Sequence, residues 1–540
     1  MLTFNLIREP WICCVALDGQ TRSVGLAEAL ASSQEIAEIT DESPLVIASL
    51  HRLLLAILHR NIGPPDTETW GRLWRQGCFP PALLDTYWTK WESHFDLFHD
   101  TQPFYQSAAI TESDEPRTTG ILEFHRSSGN NATLVDHTTD DRSPVMTPAK
   151  AARALVTHQT FALGGTVGYL KSHEKDADKR AWDAPAARGA VCLLRGANLF
   201  QTLLLNLAEY DMAAHPCDLP CWERVPSQGR GERTPDGRVD LFTWQSRRSR
   251  LFRQASDATQ LDRVKLVPGF HVPLMWNPFR DESLQSFVLK RDAKPEERPW
   301  FQYRISPERA VWRDSSAIVH GIEGETRRTL TLDWIAQLIA DGELPIDFTC
   351  RLEVLGMATH QQKVRLWRRE QLPVTAGILK DQRCRELLRS ALKHADNTND
   401  ALAAATKRLA AEILSPPLIP NVSNKADPTR VDQLADSFGA EIQYWSSLTT
   451  AFPEFLECLG KSQLLIHEDA RDDANNAGFE VWKRHVQTSA LDAFAGAASG
   501  VTQNIRGLRA HAIAETDLRR RLAVVARKLL GGDDAAGKRR

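Results

Sequence analysis

No run in this 540-residue chain is both long and apolar enough to cross a bilayer as a helix. The most apolar stretch, residues 45–58, is interrupted by His51 and Arg52 and is too short to span. Ser43 and Pro44 just ahead of it read as the cap and first turn of a helix. A basic N-terminal region followed by an apolar signal core is missing too, so the expected location is cytoplasmic, with no membrane partner. Charge of one sign is also in short supply: 66 Lys and Arg face 69 Asp and Glu, a formal net charge of -3. That excludes a uniformly basic nucleic-acid coat, and any contact with nucleic acid must use local patches.

The nine cysteines are an odd number, scattered and mostly set in apolar sequence, which fits reduced thiols. Only Cys217 and Cys221 form a close pair. His215 stands nearby, but no second pair at finger-like spacing supplies the missing zinc ligands, so neither a metal nor another cofactor is expected. The signatures of an enzyme are thin. There is no G-x-S-x-G and no His-rich ligand spacing. Residues 532–538 have the G-x4-G-K spacing of a P-loop, yet Arg539 stands where Ser or Thr is needed and no helix follows. His99-Asp100 is the kind of pair that metal phosphohydrolases use, but a single dipeptide reads more simply as a capped loop.

A hydrophobic content of 42% and a charged content of 25% are those of a globular protein, and the length exceeds one ordinary core. The expected fold class is α+β, with a large mixed domain over residues 1–372 and a C-terminal four-helix bundle over residues 373–540. Residues 4–15 read as a strand, Asp18-Gly19 as a tight turn, and residues 24–31 as a return segment entering a helix. Residues 42–91 read as largely helical. The aromatics of Pro103-Phe104-Tyr105-Gln106 should anchor a loop to the core. Residues 127–148 are polar and read as a long loop whose one apolar interruption is Leu134-Val135-Asp136, either a disordered insertion or an arm that orders on a partner.

Four stretches carry candidate chemistry. Gly164, Gly165 and Gly168 lie within five residues, a density that lets a backbone approach another surface with its N–H groups accessible. Arg247, Arg248 and Arg250 stand beside Trp244, fit either to bind phosphate or to form internal ion pairs. Lys265 follows, ahead of a proline-marked strand over residues 270–276. Residues 349–354 alternate apolar and polar, and Val364 and Leu366 restart the alternation, which predicts a hairpin with its tip at residues 356–363. A tip bearing Gln361, Gln362 and Lys363 is either a solvated polar turn or a wedge that pushes planar amides between bases.

Beyond Pro373 the periods lengthen to those of helices. Leu402, Ala405, Leu409 and Ile413 form one stripe, and Val431, Leu434, Phe438, Ile442, Trp445 and Leu448 a second. Phe479, Trp482 and Val486 form a third, and Leu518, Leu522, Val525 and Leu529 a fourth. The last of these helices carries seven basic residues against two acidic ones between Asn504 and Lys528, including Arg519, Arg520 and Arg521.

Taken together, the segment Phe4-Asn5-Leu6-Ile7-Arg8-Glu9-Pro10-Trp11-Ile12, the Pro103–Gln106 loop, residues 241–251 and the terminal bundle resemble, in order and spacing, the large subunit (CasA type) of the type I-E CRISPR Cascade complex. The resemblance covers nearly the full chain. It implies a non-catalytic protein that reads the protospacer-adjacent motif of double-stranded target DNA, starts strand separation and offers a platform to the CRISPR helicase-nuclease. Its other partners would be the guide RNA (crRNA) and the remaining Cascade subunits. Gly164, Gly165 and Gly168 resemble the family's glycine loop, Lys265 its groove-reading lysine, and Gln361 and Gln362 the tip of its wedge hairpin, with Gln362 entering the duplex. Leu134-Val135-Asp136 resembles the tip of a loop that meets the guide-RNA end of the assembly. The glycine run is shorter than in some members, and the cysteine clusters of some relatives are missing. Two rivals remain: a purely structural scaffold and a metal-dependent nuclease.

Overall fold

The computed structural model describes residues 3–124, 145–170, 179–225, 229–289, 299–321, 324–360, 363–415, 426–462, 464–465 and 467–530. The chain forms two compact units, Met1–Leu372 and Pro373–Arg540. Among the described residues no helix is long and apolar enough to cross a membrane.

In the first unit, strands β1 (Ile12–Ala16) and β2 (Thr21–Val24) form a hairpin. It turns at Asp18-Gly19, where Gly19 takes φ +84° and the Asp18 carboxylate accepts from the Gln20 N–H at 2.9 Å. The sequence predicted a strand from Phe4, but β1 starts at Ile12. Pro10 has no N–H for a ladder, and Arg8 and Glu9 both donate to the Asn5 carbonyl in a turn. Helix α1 (Leu26–Ala31) leads to β3 (Ile36–Ile39), which completes a sheet of order β2-β1-β3.

The expected helical region holds α2 (Pro44–Asn61), α3 (Thr67–Gln76) and α4 (Pro81–Trp91). Ser43 occupies the N-cap of α2 and Pro44 its first turn, but the Ser43 side chain makes no capping bond. The polar pair that broke the apolar run is buried with the rest of α2. Arg52, 1% exposed, donates to both carboxylate oxygens of Glu282 at 3.0 and 2.9 Å and lies 4.2 Å from the Phe242 ring centroid.

Strand β4 (Arg117–Thr118) is followed by α5 (Pro148–Phe161), which the Thr147 hydroxyl caps by accepting from the Lys150 N–H. The loop expected between them falls largely on residues 125–144, outside the described residues, and with it Leu134, Val135 and Asp136. Next come β5 (Gly165–Thr166), β6 (Arg180–Ala181), β7 (Val191–Arg195), α6 (Leu199–Leu205), β8 (Gly231–Glu232), α7 (Arg238–Phe242), β9 (Arg247–Arg253) and β10 (Leu261–Pro268). Strands β4, β10 and β9 make one antiparallel sheet, and β5 with β6 a separate two-stranded ribbon. The strand expected over residues 270–276 is only β11 (Phe270–His271), because Pro273 starts a turn that accepts from the Trp276 N–H.

After β12 (Phe287–Leu289), β13 (Trp300–Gln302), β14 (Thr326–Arg327) and α8 (Leu330–Ala340) comes the long hairpin of β15 (Thr349–His360) and β16 (Lys363–Thr375). Sheet order β16-β15-β7 makes β15 central, and Leu352 to Ala358 are buried without alternation. Gly356 is therefore not at the tip. A Cβ there would stand 3.0 Å from Ile305 Cδ1 and 3.1 Å from the Gly189 carbonyl oxygen. The strands continue past it, leaving only residues 361 and 362 between them, and both lie outside the described residues.

The second unit contains α9 (Ala376–Lys380), α10 (Gln382–Leu414), α11 (Pro428–Ser437), α12 (Ala440–Ser462), α13 (Glu468–Ser499) and α14 (Ile505–Leu530). Its four long helices make the bundle: α10 packs on α12, α13 and α14, and α12 on α13. The first stripe is extended, since α10 begins well before Leu402 and also buries Leu387, Leu388 and Ala391. The second is broken. Gly439 at φ +65° ends α11 and resets the helical phase, so Ile442 is 78% exposed while Tyr444, Leu448, Phe452 and Phe455 point inward. Trp482 and Val486 are buried, and the Trp482 indole N–H donates to the Ala391 carbonyl at 3.1 Å. Leu518 and Leu522 are buried on α14, Val525 is half-buried, and the Leu529 side chain lies outside the described residues.

Candidate nucleic-acid interface

The glycine loop leaves the end of α5 and enters the β5–β6 ribbon, in which Gly165 pairs with Ala181 and Thr166 with Arg180. Its three glycines do different things. The Gly164 N–H donates to Asp183 Oδ1 at 2.6 Å, so it is engaged inside the protein. Gly168 packs against β10: a methyl there would meet the Leu266 carbonyl oxygen at 3.0 Å and Lys265 Cε at 3.6 Å. Gly165 alone faces outward, at φ +154° with no atom within 4 Å of where its Cβ would be. The close approach expected of the three glycines is, for Gly168, an approach to this protein's own sheet.

Arg247 locks that arrangement. It is 1% exposed and donates to the carbonyls of Leu163, Trp182 and Ser246, each at 2.8 Å. Burial pulls its guanidinium down to about 10, opposed by the Asp183 carboxylate, so it stays charged at neutral pH. Arg247 thus serves neither phosphate nor an ion pair; it ties the start of the glycine loop to the ribbon. Arg248 and Arg250 are half-buried on the other face of β9, and burial lowers both. Arg248 helps line a cavity of about 400 Å³ with Phe104, Gln245 and Phe270.

Lys265 sits on β10 directly opposite Arg250. It is 9% exposed, its ammonium donates to the Asp114 carbonyl, and it lies 6.0 Å from the Tyr169 ring centroid. Lys179 approaches the same ring at 4.3 Å. Gly168 and Lys265 are therefore neighbours, as the resemblance implied, while the ammonium points at the protein's own backbone. At the end of the hairpin Lys363, His360 and Arg365 are exposed, with Arg365 Nη2 3.5 Å from His360 Nδ1. Gln361 and Gln362 lie outside the described residues, so their geometry is not part of the site as built.

The remaining candidates separate. Arg519 pairs with Glu515, and Arg520 and Arg521 both pair with Asp517, at 2.6 to 2.7 Å. Burial opposes the change, but the hydrogen bonds from Arg521 and Arg520 hold the Asp517 carboxyl below the usual range. The basic face is thus partly neutralised on its own helix. His99 Nδ1 accepts from the N–H groups of Thr101 and Gln102 at 3.3 and 3.1 Å, which is a capped loop. All nine cysteines are free thiols; Cys217 is exposed, and burial pushes the Cys221 thiol well above its ordinary value. Among the described residues no group of three or more His, Cys, Asp or Glu side chains could hold a metal.

Sequence reasoning missed two contributors: Arg247 as the anchor of the loop, and the run Lys179-Arg180-Ala181-Trp182 on the partner strand. The second had a signal, namely basic and aromatic residues interleaved soon after the glycines.

Comparison with known proteins gives a consistent picture. The family model described as CRISPR-associated protein Cse1 matches residues 5–493. A curated relative from Thermus thermophilus, "CRISPR-associated protein CasA/Cse1", is 34% identical over 538 residues, covering 96% of this chain and 97% of the relative. The solved structure of Thermus thermophilus CasA (Cse1) superposes with a TM-score of 0.78 at 30% identity, covering 97% of this chain and 100% of that one. Cse1 from Acidimicrobium ferrooxidans shares the fold with a TM-score of 0.81 at 22% identity, over 98% and 99% of the two chains. A chain of a CRISPR RNA-guided surveillance complex shares it too, with a TM-score of 0.74 at 18% identity over 97% and 100%.

Proposed function

The chain belongs to the CRISPR-associated Cse1 (CasA) family, and from that premise we propose that it is the large subunit of a type I-E CRISPR surveillance complex that reads the protospacer-adjacent motif. In this reading it is not an enzyme. It meets duplex DNA from the minor groove, starts strand separation and helps recruit the helicase-nuclease, while the guide RNA supplies sequence specificity. Other subunits and the guide-RNA end of the assembly are met by the loop bearing Leu134, Val135 and Asp136.

The observation that carries the reading is the loop itself: Gly165, open on its outer side, is held by Arg247 beside the packed pair of Gly168 and Lys265. An unblocked backbone next to a lysine suits a groove in which A·T and T·A pairs present only acceptors and G·C pairs add one donor. Recognition by such a site is tolerant of related motifs. Gln362, at the end of the β15–β16 hairpin, enters the stack and offsets part of the unstacking cost with hydrogen bonds to exposed base edges. Lys363 and the basic side chains of the bundle, Arg519, Arg520 and Arg521 among them, then meet phosphates of the separated strands.

The wedge is tested with Gln362→Ala in the guide-loaded complex. Binding to a fully paired target should fall while binding to a target already opened by mismatches is retained. Equal loss on both targets would contradict the wedge assignment.

A further inference from the structure

Trp182 is 52% exposed, whereas Trp11, Trp70 and Trp482 are at most 1% exposed. Its ring stacks on His271, with centroids 4.8 Å apart and planes 21° from parallel. Its backbone is fixed relative to the glycine loop by three links. The Trp182 carbonyl accepts from the Arg247 guanidinium that also holds Leu163. The preceding residue, Ala181, pairs with Gly165, and the following residue, Asp183, accepts from the Gly164 N–H. One cation lies over the indole: the Arg180 guanidinium is 5.4 Å from its centroid, while the ammonium of the preceding residue, Lys179, lies over Tyr169 at 4.3 Å.

We infer that Trp182, supported by His271, is a stacking platform for an unpaired nucleotide base beside the glycine loop, with Arg180 serving a flanking phosphate. The inference rests on the DNA-recognition reading above and adds a site and a ligand class to it. A base inside a duplex has both faces covered by its neighbours, so the platform takes single-stranded nucleic acid. Every base has a π-face, so it does so with little regard to sequence. Arg180, exposed and 5.4 Å from the indole centroid, is the cation placed to meet a phosphate next to the stacked base. Linked to the glycine loop, the platform keeps a released base from re-pairing.

The test uses the full chain at fixed salt with single strands of about twelve nucleotides, one carrying bases and one abasic throughout. Trp182→Ala should weaken binding of the base-bearing strand about tenfold and leave the abasic strand unchanged, and Trp182→Phe should retain most of the affinity. Equal loss on both strands, no loss on either, or a wild-type chain that does not prefer bases to bare backbone overturns the platform. Motif-dependent duplex binding, measured in parallel in the assembled complex, separates the two claims. If that dependence is present while Trp182→Ala does nothing to single strands, the platform is wrong and the motif reading stands. If it is missing while the base-specific loss is seen, the reverse holds.

Discussion

Lys265 gives its ammonium to the Asp114 carbonyl, so a role in the groove requires it to exchange one acceptor for another. That bond also defines the structural rival, in which the lysine only ties the turn near Asp114 to β10. Lys265→Met keeps the aliphatic stem and removes the charge, which distinguishes the two. As a groove reader the variant should bind a duplex with an intact motif about ten- to a hundredfold more weakly, the value of a hydrogen bond to a charged donor, and a scrambled duplex unchanged. A lower melting temperature with the motif dependence intact would leave Lys265 a purely structural tie. At this scale the sequence was legible only in part. Its glycines and Lys265 were visible, but which glycine is open to solvent and which is engaged inside the protein was not, because Asp183, which takes the Gly164 N–H, lies 19 residues away in sequence. Arg247 looked like a surface cation because nothing local reveals that the carbonyls of Leu163 and Trp182, 84 and 65 residues away, converge on it beside that of its neighbour Ser246.

Helices and strands transmit these details to the site. Helix α2 passes through the core with Arg52 and Glu282 paired inside it, 1% and 3% exposed. Glu282→Gln should strand the buried guanidinium and cost about 3–5 kcal/mol of stability in denaturant melts, whereas replacing both partners by apolar residues of similar volume should recover most of it. Helix α5, which delivers the glycine loop, buries His158 against Phe124 at 5.7 Å. Burial, assisted by Arg247, pulls that imidazole from 6.5 to about 3. The folded state therefore resists a proton that the unfolded chain accepts below 6.5. The resulting stability is complete above pH 6.5 and is lost as pH falls from there toward about 3. Near pH 5 the loss is about 2 kcal/mol for this one group, and His158→Gln should flatten the pH dependence of the urea midpoint between pH 6.5 and 5. An unchanged slope would mean that His158 is not held neutral. Element boundaries were legible where a local device sets them, as at Asp18-Gly19 and Ser43-Pro44. They failed where tertiary structure decides, as in β15, which lost its alternation because it is a central strand, and where a local signal was passed over, as at Gly439, which breaks the second bundle stripe.

For the molecule as a whole, the near balance of charge is accompanied by local pairing at several of its basic candidates. Arg519, Arg520 and Arg521 each have a carboxylate one turn away, and even the cations around the glycine loop contact rings and carbonyls of the protein itself. On the motif-reading proposal, such a chain would attract DNA weakly until a specific geometry exchanged internal partners for phosphates and groove acceptors. The mixed architecture and the terminal bundle were readable from the switch to helical periods after Pro373, since long amphipathic stripes depend on local sequence alone. The most direct measurement is binding of a matched duplex to the guide-loaded complex assembled with and without this chain, at fixed salt, with the adjacent motif intact or scrambled. Motif reading predicts that the chain strengthens binding only when the motif is intact; an equal gain on both duplexes would contradict it.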